Sequence, residues 1–222
     1  MAVIHNTALK PTKLELLTSW LPSRPWYSGG AKGPELAKAG GFRLDDPQGA
    51  VGIEFMVVTD TSGADPAGYL VPLTYRGAPL DGAEHALIGT MEHGVLGRRW
   101  AYDGCHDPVL VTQLQALIEG RVQAQDQNTS DTPDREVTRS YLGDGLAATD
   151  FTTAATDDQE GTELPAPRGT TLRLHRLLRP GAPDDTPALP PDAIGHVAGS
   201  WHMPDGTRTR GLFAVLRTVP RA

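Results

Sequence analysis

The sequence predicts an α+β fold: an antiparallel β-sheet with one or two helices packed on it and a long mobile insertion. Three observations carry that expectation. Short strand-like segments succeed one another between Gly-, Asp- and Pro-rich turns, only two stretches have helical periodicity, and the chain closes on a hairpin pattern. Pro11 suits the first turn of a helix, and residues 12–20 place Leu14, Leu17 and Leu21 at i, i+3 and i+7, so Leu14 and Leu17 face a core. Pro22 and Pro25 end that helix and turn Trp26 and Tyr27 onto the next segment of chain. A strand over 36–44 stops at Asp45-Asp46-Pro47-Gln48-Gly49, a run of turn formers. The next strand, 51–59, sets Val51, Ile53, Phe55 and Val57 on one face and Glu54, Met56 and Val58 on the other. Its antiparallel partner over 69–76 contains Pro72, which donates nothing to a ladder. That strand therefore lies at an edge, or Pro72 turns its missing N–H away from a neighbour. Residues 87–91 and 95–102, parted by Glu92-His93-Gly94, complete an antiparallel meander. Asp107 is the N-cap and Pro108 the first residue of a second helix, with Val109, Leu110, Leu114, Leu117 and Ile118 facing the sheet and Gly120 ending it.

Residues 121–168 are rich in Asp, Thr, Gln, Ala and Pro and have no sustained periodicity. They are expected to be mostly a mobile insertion. The alternative is an ordered wrap around Tyr141, Leu142 and Phe151, since long structureless loops inside a domain are uncommon. Strand character returns at 170–178, and a Pro-rich link covers 179–191. The last two strands, 193–203 and 207–219, flank the turn Pro204-Asp205-Gly206. Leu212, Ala214 and Leu216 alternate with Phe213, Val215 and Arg217, which implies burial on both faces. One domain over 1–222 is expected, because 170–219 supplies three strands and no helix to cover them.

Composition narrows the function. The chain has 222 residues, 39% of them hydrophobic, enough for one packed core with considerable loop. Its 20 basic and 27 acidic residues leave a net charge of −7, which opposes binding to nucleic acid or anionic membranes. Cys105 is the single cysteine and has no partner for an intramolecular disulfide. The N-terminal residues lack the pattern of a signal peptide, and no apolar run approaches the ~18 residues of a membrane span, so the cytoplasm is the expected compartment.

Three motifs occur in a fixed order over roughly residues 10–120: Trp20-Leu21-Pro22-Ser23-Arg24-Pro25-Trp26-Tyr27, Val71-Pro72-Leu73-Thr74-Tyr75-Arg76, and Trp100-Ala101-Tyr102-Asp103-Gly104-Cys105-His106-Asp107-Pro108. Together they resemble the N-terminal cap domain of actinobacterial maltokinases and related aminosugar kinases. One departure is Pro25, which parts Arg24 from Trp26 where the family has Arg directly before Trp. The resemblance implies a curved, cystatin-like antiparallel sheet. It also picks out Trp20, Arg24, Trp26, Tyr27, Pro72, Tyr75, Arg76, Trp100, Tyr102, Asp103 and Asp107 as interaction or structural positions. In those kinases the cap precedes a nucleotide-binding lobe and a catalytic lobe, whereas this sequence has neither a Gly-x-Gly-x-x-Gly nor a Gly-x-x-x-x-Gly-Lys-Ser/Thr phosphate cradle. The expectation is a cap-like domain without its kinase: a non-catalytic module needing no cofactor. Its partner would be a sugar kinase, another enzyme of α-glucan, trehalose or aminosugar metabolism, or a second copy, reached by pairing through an exposed edge strand. A small sugar-binding protein or enzyme with an unrecognised site is the alternative.

Other candidate chemistry has plainer explanations. His85, His93, Cys105 and His106 match no zinc-ligand spacing, and loop polarity accounts for them. His106 beside Asp107 would be an oriented base, but neither Ser200 nor Cys105 sits in a nucleophile elbow. His196 and His202 fit a solvated face of the last hairpin. Asp45-Asp46, Asp157-Asp158 and Asp184-Asp185 sit in turn-forming contexts rather than at the fixed separation glycosidases need. A glucan-branching barrel of about 200–250 alternating residues is absent. Trp26 and Trp100 are expected as core anchors between helix and sheet rather than as sugar platforms.

Overall fold

The computed structural model describes residues 9–143, 154–166, 169–182 and 188–218. A two-residue strand, β1 (Leu9–Lys10), precedes α1 (Lys13–Trp20) and a single 3-10 turn, Leu21–Ser23. Pro11 lies outside α1, one position before its N-cap. Thr12 is the cap instead: its hydroxyl accepts from the Glu15 N–H, and the Glu15 carboxylate accepts from the Thr12 N–H at 2.7 Å.

The strands β2 (Leu36–Leu44), β3 (Gly52–Asp60), β4 (Ala67–Arg76), β5 (Leu87–His93) and β6 (Gly97–Asp103) come next, then α2 (Pro108–Glu119). Asp107 caps α2, and Gly120 ends it with a φ of 77°, where a side chain would be strained. The spatial order is β1-β5-β6-β4-β3-β2, so the expected meander is corrected: β6 rather than β5 lies beside β4. The turn between β5 and β6 also lies further along, so Val95 sits in the turn and not in a strand.

The strand carrying Pro72 is an inner one. β3 lies along one side, while the other side is shared by β6 at 73–76 and by a short later strand at 68–69. The Leu70 N–H donates to the Arg176 carbonyl on that divided side, and Pro72 has the same parity. Its missing donor therefore faces the gap between two partial neighbours.

The second half adds β7 (Thr138–Tyr141), β8 (Thr156–Asp157), β9 (Gly161–Ala166), β10 (Thr170–His175), β11 (Leu177–Leu178), β12 (Ala193–His202) and β13 (Arg208–Thr218). The sheet continues from β2 through β12-β13-β10-β9-β8, with β7 on β12 and β11 on β4. Every described pairing is antiparallel. The expectation of a mostly mobile insertion over 121–168 is corrected at β7, β8 and β9. Leu164 is fully buried and Tyr141 packs on the core, but Leu142 is 85% exposed and anchors nothing. Phe151, Asp184, Asp185 and Val219 lie outside the described residues.

Two cores explain why β3 and β4 are buried on both faces. On one side α1 lays Leu17 against Trp26, Met56, Val58, Tyr69 and Val71. On the other, α2 lays Leu110, Leu114 and Leu117 over Phe42, Phe55, Leu172, Val197, Trp201 and Phe213. Phe42 and Phe55 stack at 4.5 Å. This second core runs without a break from β2 and β3 into the last hairpin.

Candidate functional site

The first motif packs against β4, the strand of the second motif, and β4 pairs in turn with β6, which carries the start of the third. Trp26 is 1% exposed and contacts Trp20 edge-on at 5.7 Å and Tyr69 at 6.0 Å between ring centroids. Tyr27 packs on Tyr69 at 5.5 Å and donates its hydroxyl proton to Asp60. Arg24 lies over the Trp20 ring at 5.0 Å, so Pro25 does not prevent its stacking. Trp100 is placed differently. It is half-buried against Leu80, Ala83, Ala86 and Tyr102, in a small cluster apart from both helices, which corrects its expected position between helix and sheet.

Behind Trp26 lies a residue that motif reading passes over. Arg176, between β10 and β11, is fully buried, with its guanidinium 5.2 Å from the Trp26 ring. Its Nη2 donates to both Asp103 oxygens at 2.6 and 2.7 Å and to Cys105 Sγ at 3.1 Å, and its Nε donates to the Thr162 hydroxyl at 2.7 Å. Burial opposes the charge, yet Asp103 outweighs it and holds the Arg176 pKa above its ordinary value. Burial pushes the Cys105 thiol far up, so near neutral pH it stays protonated and lacks the thiolate a nucleophile needs. In the sequence Arg176 is one of three basic side chains, with Arg173 and His175, interleaved with leucines over residues 172–178, and nothing local marks it out from the other two.

The second and third motifs are joined by a bidentate ion pair. Arg76 Nε and Nη2 each donate to a different Asp107 oxygen at 2.7 Å, while Asp107 also accepts from the Val109 N–H as the cap of α2. The hydrogen bonds to Asp107 raise the Arg76 pKa. Tyr102 accepts from the Leu80 N–H at 2.9 Å. Tyr75 donates to buried Glu54, which Lys13 also contacts from α1. Burial would raise the Glu54 pKa, but the Lys13 charge and these hydrogen bonds bring it below the ordinary value.

The candidate metal set is split. His85 and His106 touch, with Nε2 and Nδ1 3.1 Å apart, whereas Cys105 is sealed against Arg176 and His93 accepts from the Leu96 N–H in the β5–β6 turn. Among the described residues no three His, Cys, Asp or Glu gather as a metal site. Asp46 accepts from the Gln48, Ala50 and Val51 N–H groups, and Asp158 accepts from Glu160, Gly161 and Arg173, so both serve turns. His196 lies 2.7 Å from the Ser140 hydroxyl, and His202 is exposed.

An open groove of about 740 Å³ lies where β2 and β12 splay apart. Those strands pair only at Gly40 and Trp201, and residues 126–137 fill the gap with Gln127, Asn128, Asp134 and Glu136. Gly41 forms part of its wall; a Cβ there would lie 2.0 Å from the Phe55 carbonyl oxygen, and its φ of 123° favours glycine. Burial raises the Asp134 pKa.

The first motif thus packs on the second through the α1 core, and the second pairs with the third through β4–β6 and the Arg76–Asp107 ion pair. Residues 20–107 match the family model of the maltokinase N-terminal cap domain. No curated protein matches the chain significantly. The cap segment takes in the aromatic corner, β2 to β6 and Asp107, while α2, Arg176 and the last hairpin lie beyond it. Among the described residues no helix is long and apolar enough to cross a membrane.

Proposed function

We propose that this chain is a non-catalytic docking module of the maltokinase-cap type. Its partner is an enzyme of α-glucan, trehalose or aminosugar metabolism, a sugar kinase first among them. The observation that carries this reading is how the motif residues are employed. Trp26, Tyr102, Asp103 and Asp107 are buried and paired with other parts of the chain, so they build a scaffold rather than line a reaction centre. The surface offered to a partner under this reading is the β5–β6 turn, where two adjacent apolar residues, Val95 and Leu96, are 62% and 46% exposed. The strand carrying Pro72 is internal and offers no free edge for strand addition.

Size-exclusion and calorimetry with a purified maltose-phosphorylating kinase test the reading. A complex that is lost on Val95→Asp or Leu96→Asp is expected, with no sugar phosphate formed by the chain alone. Sugar phosphorylation by a contaminant-free sample, or absence of a complex with any enzyme of that group, would overturn it.

A second reading, a small sugar-binding protein, draws on the groove between β2 and β12, because its amide, carboxylate and imidazole side chains suit hydroxyl recognition. Under that reading maltose, trehalose or glucosamine at one hundred times its Kd stabilises the fold by about 2.7 kcal/mol. Asn128→Ala or His202→Ala then removes the shift.

A further inference from the structure

The contact between His85 and His106 joins two separately anchored turns. His85 lies in the 3-10 turn Glu84–Ala86, held down by buried Ala86, and is itself exposed. His106 ends the 3-10 turn Gly104–His106, fixed by buried Cys105 and by the Asp107 N–H donating to the Gly104 carbonyl at 3.0 Å. Their rings are nearly perpendicular, with centroids 4.7 Å apart, and His85 Nε2 faces His106 Nδ1 at 3.1 Å.

That separation is also the spacing of two ligands on one metal ion. With metal–nitrogen bonds of about 2.0–2.1 Å, two imidazole nitrogens lie about 2.9 Å apart at a right angle and about 3.3 Å apart at the tetrahedral angle. We propose that His85 Nε2 and His106 Nδ1 form a two-point chelate for a divalent transition-metal ion of the zinc, nickel or copper type. Solvent fills the remaining positions, because no third protein ligand is within reach among the described residues.

Chelation needs a change of tautomer and a turn of each ring that brings its nitrogen lone pair from the facing nitrogen onto the shared ion. Each neutral ring carries its proton on the nitrogen away from the ion, His85 on Nδ1 and His106 on Nε2, and the hydrogen bond between the rings is exchanged for two metal–nitrogen bonds. The backbone anchors on both turns keep the nitrogens from splaying, and the exposure of His85 opens a path from solvent.

The test is calorimetric titration of the full chain, stripped with a chelator, with Zn²⁺, Ni²⁺ and Cu²⁺ in turn. One ion per chain is expected. His85→Ala and His106→Ala should each weaken binding at least about tenfold, the scale of losing even an outer-sphere partner. His93→Ala should leave it unchanged, and melting curves should show that His85→Ala remains folded. Absence of binding, or affinity unchanged in both variants, would mean that the rings only hydrogen-bond to each other.

Discussion

Asp103 and Asp107 lie one helical turn apart in sequence, both buried and both holding an arginine, yet they belong to different kinds of structure. Asp107 pairs with Arg76 inside the cap segment, and the Arg76 side chain remains 21% exposed. Asp103 pairs with Arg176, which arrives from beyond the cap segment and is fully buried. The first pair caps a helix and fastens it to its own sheet. The second fastens the cap segment to the later strands, beside the Trp26 ring. A buried charge that loses its partner is far more costly than a half-exposed one, because water cannot replace the lost partner. The junction with the later strands is therefore the more vulnerable of the two.

The largest expected effect breaks that junction. Arg176→Ala leaves Asp103 buried without its counter-charge and should cost about 3–5 kcal/mol in urea unfolding, with Asp103→Ala similar. Arg76→Ala should cost less, since the Arg76 side chain is itself 21% exposed, although Asp107 is as buried as Asp103. Equal losses at both arginines would show that burial does not distinguish them. Replacing Arg176 and Asp103 together with Met and Leu should recover much of the loss, because the charges are then removed as a pair.

A comparison of two tryptophans sharpens the same contrast. Trp26→Ala empties the corner between α1 and β4 and should cost about 3–5 kcal/mol, with a further penalty from uncovering Arg176. Trp100→Ala, in its half-buried cluster, should cost less than half as much. A larger loss at Trp100 would move the weight of the fold from the α1 corner to the loop around Ala83.

The smallest effect is a pH dependence located in the later strands. Burial, with Arg173 and Arg217 nearby, lowers the His175 pKa to about 4, against about 6.5 in an unfolded chain. As pH falls from about 6.5 to 4 the unfolded chain takes up a proton that the fold refuses, so stability falls with falling pH over that window. His106 and His196 are shifted in the same direction, mainly by burial, and add to the slope. His175→Gln should flatten this limb of the melting profile, and an unchanged slope would place the titration on the other two rings.

Legibility tracks the range of the interactions. The bounds of β2 and α2, the caps Asp107 and Gly120, and the turn at Gly206 are readable because each depends on neighbours within a few residues: alternation, a capping carboxylate, a glycine at positive φ. The segment 121–168 reads as a loop because β7, β8 and β9 are short and polar on their open faces. They become strands through pairing with β12 and β10, and β12 lies well away from β7 along the chain. Of the two settings the sequence allows Pro72, an edge strand or an N–H turned away from a neighbour, the second is found, and local reasoning does not foresee that the neighbour is divided between β6 and β11.

By itself the sequence determined the α+β class, the two helices with their stops and the turn of the last hairpin, since local sterics and periodicity suffice for these, while the three cap motifs were legible as a resemblance. Tertiary structure alone decided that β6 lies beside β4, that Asp103 receives Arg176 across the chain, that Trp100 stands apart from Trp26, and that His85 meets His106. Long-range pairing depends on which surfaces are buried together, and no window of neighbouring residues carries that information.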